Sequence, residues 1–149
     1  MPMPPPTDEP PPARQPLSRD RVLRAAVELA DEQGIDAVSM RRLGQELGVD
    51  PMSLYKHVAN KDDLLDGMID LIVGEIEPVA SDDGRTAWKA ALRARVMAAR
   101  ATMLRHGWAS QVLEGRAEAS PAVMRHYEAV AGILRGGGFS IDLVHHALH

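Results

Sequence analysis

The chain contains no cysteine, which excludes disulfides, thiolate nucleophiles and thiolate zinc sites. No apolar stretch approaches the ~20 residues that a membrane span requires. Sustained two-residue alternation is missing, so no β-sheet is expected. Enzyme signatures are missing too: there is no P-loop, no GxSxG elbow and no Gly-rich dinucleotide loop. "RGGGF" at 135–139 follows a helical pattern and reads as a helix stop. The paired acids Asp62/Asp63 and Asp82/Asp83 fall at a helix start and in a turn, where capping explains them better than acid–base chemistry. His145 and His149 are four apart and share a helix face, but no carboxylate nearby completes a ligand set, and HExxH is absent. Neither an enzyme activity nor a metal or other cofactor is expected.

What remains is 149 residues, 45% hydrophobic and 26% charged, enough for one or two small packed units. Eight of the eleven prolines lie in "MPMPPPTDEPPPARQP", so residues 1–17 are expected to form an extended, disordered tail rather than a leader peptide. A soluble cytoplasmic protein with no membrane partner fits best. The net charge of −4 does not advertise a nucleic-acid binder. Locally the balance reverses: from Ser39 to Lys61, Arg41, Arg42, Lys56 and Lys61 face only Glu46 and Asp50.

After residue 17 the pattern is helical throughout. Ser18 caps a first helix carrying Val22, Ala26 and Leu29 and stopped by Gly34. Ser39 caps a second helix with Leu43 and Leu47, stopped at Gly48. After the link "GVD", Asp50-Pro51 opens a third and very short helix, with Leu54 and Val58 on one buried stripe. Asn60 caps a fourth, with Asp63 in the position of a capping-box acid, filled by Leu64 to Ile76 and ended by Pro78. "SDDG" at 81–84 is a turn. A long helix follows, with Trp88, Leu92, Val96, Ala99 and Met103 on one face. A short helical piece spans Trp108 to Leu113. Ser120-Pro121 opens a helix with Val123, Tyr127, Val130 and Leu134, and Ser140 opens another with Ile141, Val144 and Leu148.

Two helices joined by a three-residue, Gly-containing turn, preceded by a third, make a helix-turn-helix. Its second helix would enter the major groove while the first crosses the backbone. Taken alone, Tyr55 and His57 are ordinary surface groups and Arg41-Arg42 a solvated face; inside this motif they become a reading surface. The stretch "RVLRAAVELADEQGIDAVSMRRLGQELGVDPMSLYKHVANKDDLLDGMID", with its G-V-x-x-x-x-L-Y-x-H-V-x-N-K-x-x-L-L core, resembles the DNA-binding domain of the TetR (tetracycline repressor) family over residues 18 to about 73. "GGGFSIDLVHHALH" and the helix before it resemble the middle of the C-terminal domain in the tetracycline-repressor branch.

The resemblance implies an all-α protein: a helix-turn-helix domain over 18–64 and a helical regulatory domain over 65–149, the latter incomplete. It implies a repressor that binds a palindromic double-stranded DNA operator as a homodimer and is released by a small-molecule effector. Base contacts would come from Met40, Arg41, Pro51, Met52, Ser53 and Lys56, and backbone contacts from Ser39, Tyr55, His57 and Lys61. Arg41 is the prime base reader, because a guanidinium grips guanine O6 and N7 together. Lys56 stands where tetracycline repressors carry Trp, and Met52 replaces a small polar residue, so a different operator is expected. Trp88, Leu92, Met103, His106, Trp108 and Tyr127 are candidates for the effector wall. The His that helps hold a drug–magnesium complex in tetracycline repressors is replaced here by Leu113, so tetracycline is not expected as effector. The Pro-rich tail reads as a spacer; the alternative is an N-terminal arm, as in some helix-turn-helix proteins, with Arg14 and Arg19 adding contacts to the minor groove or backbone. The alternative reading is a truncated interaction module that neither dimerises nor represses alone, since family dimers use two late helices and the sequence stops within the first.

Overall fold

The computed structural model describes residues 15–76, 87–116 and 118–148; among these it is helical, with no strand. The helices are α1 (Arg19–Gln33), α2 (Met40–Leu47), α3 (Pro51–Leu54), α4 (Lys61–Gly74), α5 (Trp88–Arg105), α6 (Ala109–Glu114), α7 (Pro121–Gly136) and α8 (Ile141–Leu148). The tail to residue 14, the "SDDG" turn, Pro78 and His149 lie outside the described residues.

The expected caps are present. Ser18 Oγ accepts from Arg21 N at 3.2 Å, Ser39 Oγ from Arg42 N at 3.1 Å and Asn60 Oδ1 from Asp63 N at 2.8 Å. Each gives an orphan amide at a helix start a partner. Ser120 Oγ accepts from Val123 N, and Asp70 of α4 reaches across to accept from Ala122 N at 3.2 Å. The start of α7 is therefore capped in part by another helix. One element escaped the sequence reading: Ile35–Ala37 form a single 3-10 turn between α1 and α2.

One apolar core runs through α1 to α7. Val22, Leu43, Leu54, Leu64, Met68 and Ile72 are fully buried in it, and Trp108, Val112 and Ala122 close its far side. The central helix, α4, packs against α1 on one side and against α5, α6 and α7 on the other. The expected division after Leu64 therefore falls inside one continuous helix. At the α1 crossing a Cβ on Gly67 would lie 2.6 Å from Leu23 Cδ2, so the Leu23 side chain is seated directly on the α4 backbone. A smaller cluster joins Val130, Leu134 and Val144 to Trp88 and Leu92, with Phe139 edge-on to Trp88 at 4.9 Å.

Three expected faces need correction. On α5 the buried positions are Ala91, Arg95 and Thr102, while Val96 is 52% exposed. Adjacent helical residues lie about 100° apart, so the true stripe is rotated by one position. Tyr127 on α7 is 46% exposed, and Ile141 on α8 is 70% exposed, with only Val144 buried on that helix. α4 ends at Gly74 rather than running to Pro78, although Ile76 beyond it remains buried.

Candidate nucleic-acid interface

The candidate surface is built from two helix starts and a tight turn. Gly48 takes the left-handed conformation (φ 65°, ψ 35°) that the three-residue link demands. Val49 N then bonds Gly44 O at 2.9 Å, turning the chain back. A Cβ on Gly44 would lie 2.9 Å from Val49 O and 3.1 Å from Pro51 Cγ, so this position is where α3 seats against α2. Asp50 Oδ1 accepts from Met52 N at 2.7 Å, and Ser53 Oγ donates to the Asp50 carbonyl at 2.6 Å. Leu54 and Val58 point into the core, as their spacing predicts.

With those two anchored, Met52, Tyr55 and Lys56 are exposed on the same short segment, and Pro51, Ser53 and His57 are half-buried beside them. Met52 is 71% exposed. From α2, Arg41 is exposed and has no ion-pair partner among the described residues, whereas Arg42 pairs with Glu46 at 2.9 Å. Ser39, at the start of α2, and Lys61, at the start of α4, are exposed, with Met40 half-buried. The ten residues singled out from the sequence thus lie on the two-helix motif and at the start of the next helix. Free cations and helix N-termini together favour a polyanion.

Arg19 does something the sequence did not suggest. Rather than extending from the surface as an arm, it donates to Asp63 through both terminal nitrogens (2.9 and 2.8 Å) and to the His57 carbonyl at 2.9 Å. Asp63 also accepts from Ala59 N at 2.8 Å. This clamp fixes the segment leaving α3 to the start of α1. Forty-four residues separate the pair, and no local spacing signals such a contact. Arg14 lies outside the described residues.

The Arg19 bonds, with help from Ala59 N–H, lower the Asp63 pKa to about 2, and Asp63 in turn raises that of Arg19. A carboxyl depressed in the folded state contributes stability that is complete above its unfolded pKa of about 3.9 and fades as pH falls towards 2. Both side chains are about a third or more exposed, so solvent screening reduces the contribution to about 1 kcal/mol. Asp63→Asn is therefore expected to melt a few degrees below the parent at pH 6 and alongside it near pH 2, as followed by circular dichroism. A gap that persists unchanged near pH 2 would show that the clamp is not the source.

A cavity of about 380 Å³ lies on the other side of α4. Ile69, Val73 and Ile76 form one wall, Ala99 and Met103 another, and Leu113, Val123 and Tyr127 close it; Arg116, Glu118, Ser120 and His126 supply polar groups. Arg116 is braced by Asp66 and by the Asp62 carbonyl, which holds the α6–α7 link onto α4. Burial, with help from Arg95, pushes the His126 pKa down. Of the six residues expected in an effector wall, only Met103 and Tyr127 line this cavity. Trp88 and Leu92 belong to the smaller α7–α8 cluster. His106 and Trp108 instead turn towards α1, where both donate to Asp31. Aromatic residues near one another in sequence gave no means of separating these three places.

Two family descriptions match: "Bacterial regulatory proteins, tetR family" over residues 22–68 and "Tetracyclin repressor-like, C-terminal domain" over residues 80–149. The chain is 40% identical over 124 residues to the HTH-type transcriptional repressor DrrR1 of Streptomyces coeruleorubidus, covering 83% of this chain and 46% of that protein. It spans about half the length of the first curated relatives it matches. Among solved structures, ActR from Streptomyces coelicolor in complex with actinorhodin superposes with a TM-score of 0.77 at 33% identity, over 89% of this chain and 62% of that one. BioQ with its natural double-stranded DNA operator gives 0.68 at 29% identity, over 87% and 76%.

Proposed function

Because the chain belongs to the TetR family of bacterial regulatory proteins, we propose that it is a DNA-binding transcriptional repressor, released from its operator when a small molecule occupies the cavity beside α4. The observation that carries this reading is the division of labour across one helix. The start of α4 is tied through Asp63 to Ala59 N and, by way of Arg19, to the His57 carbonyl of the segment that follows α3. Its later turns wall the cavity. Relatives support each half separately: BioQ is seen on its operator, and ActR with a bound small molecule.

Reading helices of a homodimer would insert into successive major grooves about 34 Å apart, so the operator should be an inverted repeat. Arg41 would read a base edge, and Tyr55, His57 and Lys61 would hold phosphates. The cavity, apolar on most sides with polar groups at the α6–α7 link, suits a largely apolar effector carrying a few polar substituents. Binding there shifts the protein towards a conformation that fits the operator less well.

Selection of bound duplexes from a random DNA pool at moderate salt tests the proposal. Enrichment of an inverted repeat is the expected result. Single half-sites would retain the reading helix but remove the dimer, and salt-sensitive binding without enrichment would overturn the assignment for this chain.

A further inference from the structure

His106 and Trp108 do not line the cavity, and the groups they do touch suggest another role. Asp31, in the last turns of α1, accepts from His106 Nδ1 at 2.9 Å and from Trp108 Nε1 at 2.7 Å. Both donors are almost completely buried, at 4% and 7% exposure. They occupy the corner between α5 and α6, which is bound to the cavity on both sides. Met103, three residues before His106, and Leu113, five residues after Trp108, are cavity wall. A ligand that displaces either one displaces the corner.

We infer that Asp31, His106 and Trp108 form a latch through which occupancy of the cavity reaches the reading motif along α1; the inference rests on the effector reading above. α1 is 15 residues long, a rod of about 22 Å. Its other end carries Arg19, which holds the His57 carbonyl and Asp63. A tilt imposed at Asp31 is therefore delivered to the segment that supports the reading helix. The bonds are polar and their donors buried, so breaking them leaves unpaired groups in the core. This favours a few discrete arrangements over a continuum.

A second arrangement is close at hand. His106 Nε2 is buried without a hydrogen bond among the described residues. It lies 3.6 Å from Glu75 Oε2, just beyond α4, and Glu75 also accepts from Arg105 at 3.0 Å. A movement of roughly half an ångström brings the ring into range of Glu75. The bond forms with the ring proton on Nε2, at the expense of the Nδ1–H bond to Asp31. The corner thus grips α1 fully and α4 incompletely. Small shifts of the cavity wall exchange one grip for the other.

With the natural effector unidentified, a cavity-filling substitution replaces it as probe. Ala99→Phe places a ring in the cavity, and Asp31→Ala opens the latch. Affinity for the duplex enriched by selection is measured for the parent, each single variant and the double variant, after thermal melts confirm folding. Ala99→Phe is expected to weaken binding about tenfold in the parent, within the usual range of allosteric coupling, and less than threefold with Asp31→Ala present. Amide exchange at 57–60 should rise with Ala99→Phe only while the latch is intact. Where Asp31→Ala does not fold, Trp108→Phe carries the test, since it keeps a buried ring and deletes only the Nε1–H donor; the coupling should then fall at least twofold. An equal loss in both backgrounds overturns the latch and leaves the effector reading standing. No loss from Ala99→Phe in the parent overturns both.

Discussion

Leu54→Ala is expected to destabilise the protein by about 2–5 kcal/mol, the range for emptying a fully buried leucine site, and to abolish operator binding with it. The helix that carries Leu54 has four residues, far too few to hold itself together. Its position depends on the Asp50 cap, the contact with α2 at Gly44, and the burial of Leu54 and Val58, which are 0% and 1% exposed. Removing Leu54 takes away most of the apolar anchor at once. Against a total stability of about 5–15 kcal/mol, such a loss should lower the thermal midpoint by roughly 10 °C. Met52→Ala tests the opposite face of the same helix. Met52 is exposed, so its loss should leave the midpoint within a degree or two while altering DNA affinity. If Leu54→Ala melts with the parent, the buried face is not what seats the reading helix.

Arg41→Ala should weaken binding to the enriched operator by about 10- to 100-fold per half-site, corresponding to the 1–3 kcal/mol of the bidentate base contact that each subunit loses. It should also relax the base preference at one position of each half-site. The neighbouring Arg42 provides the contrast. Its guanidinium is already paired with Glu46 on an exposed helix face, an arrangement that contributes little, so Arg42→Ala should change affinity severalfold at most. Titration against the operator and a scrambled duplex, each at several salt concentrations, separates the possible roles. Loss confined to the operator marks Arg41 as a base reader. Equal loss on both, with the log–log salt slope reduced by about 0.9 per subunit bound, would make it a phosphate contact.

The parts of the fold legible in the sequence were those written in local chemistry. Ser18, Ser39, Asp50, Asn60 and Ser120 each announce a helix start through a side chain that reaches two or three residues ahead, and Gly34 and Gly48 announce stops through backbone conformations that suit glycine. The exposed face of α3 was legible for the same reason, since Leu54 on the helix and Val58 just beyond it fix which side turns inward. Contacts between distant segments were not. The Arg19–Asp63 clamp and the Asp31 bonds to His106 and Trp108 join residues 44 and more than 70 positions apart, and Arg19, Asp31 and Asp63 alone each resemble an ordinary surface charge. On α5 the buried positions are Ala91, Arg95 and Thr102, so a search for bulky hydrophobics chose a face one position away.

α4 also sets where this protein could be cut and rejoined. Leu64, Met68 and Ile72 belong to the same core as α1 and as the helices beyond, and Gly67 is matched to Leu23 in particular. A hybrid that exchanges the reading head at residue 64 would divide this helix between two parents and set a foreign side chain against Leu23. Recombination that moves the whole of α1 to α4 together, with the junction after Ile76, keeps that fit intact. The burden then passes to the surfaces of α5, α6 and α7 that α4 must meet. New operator specificities should accordingly be inherited, or engineered, as four-helix blocks rather than as the helix-turn-helix alone.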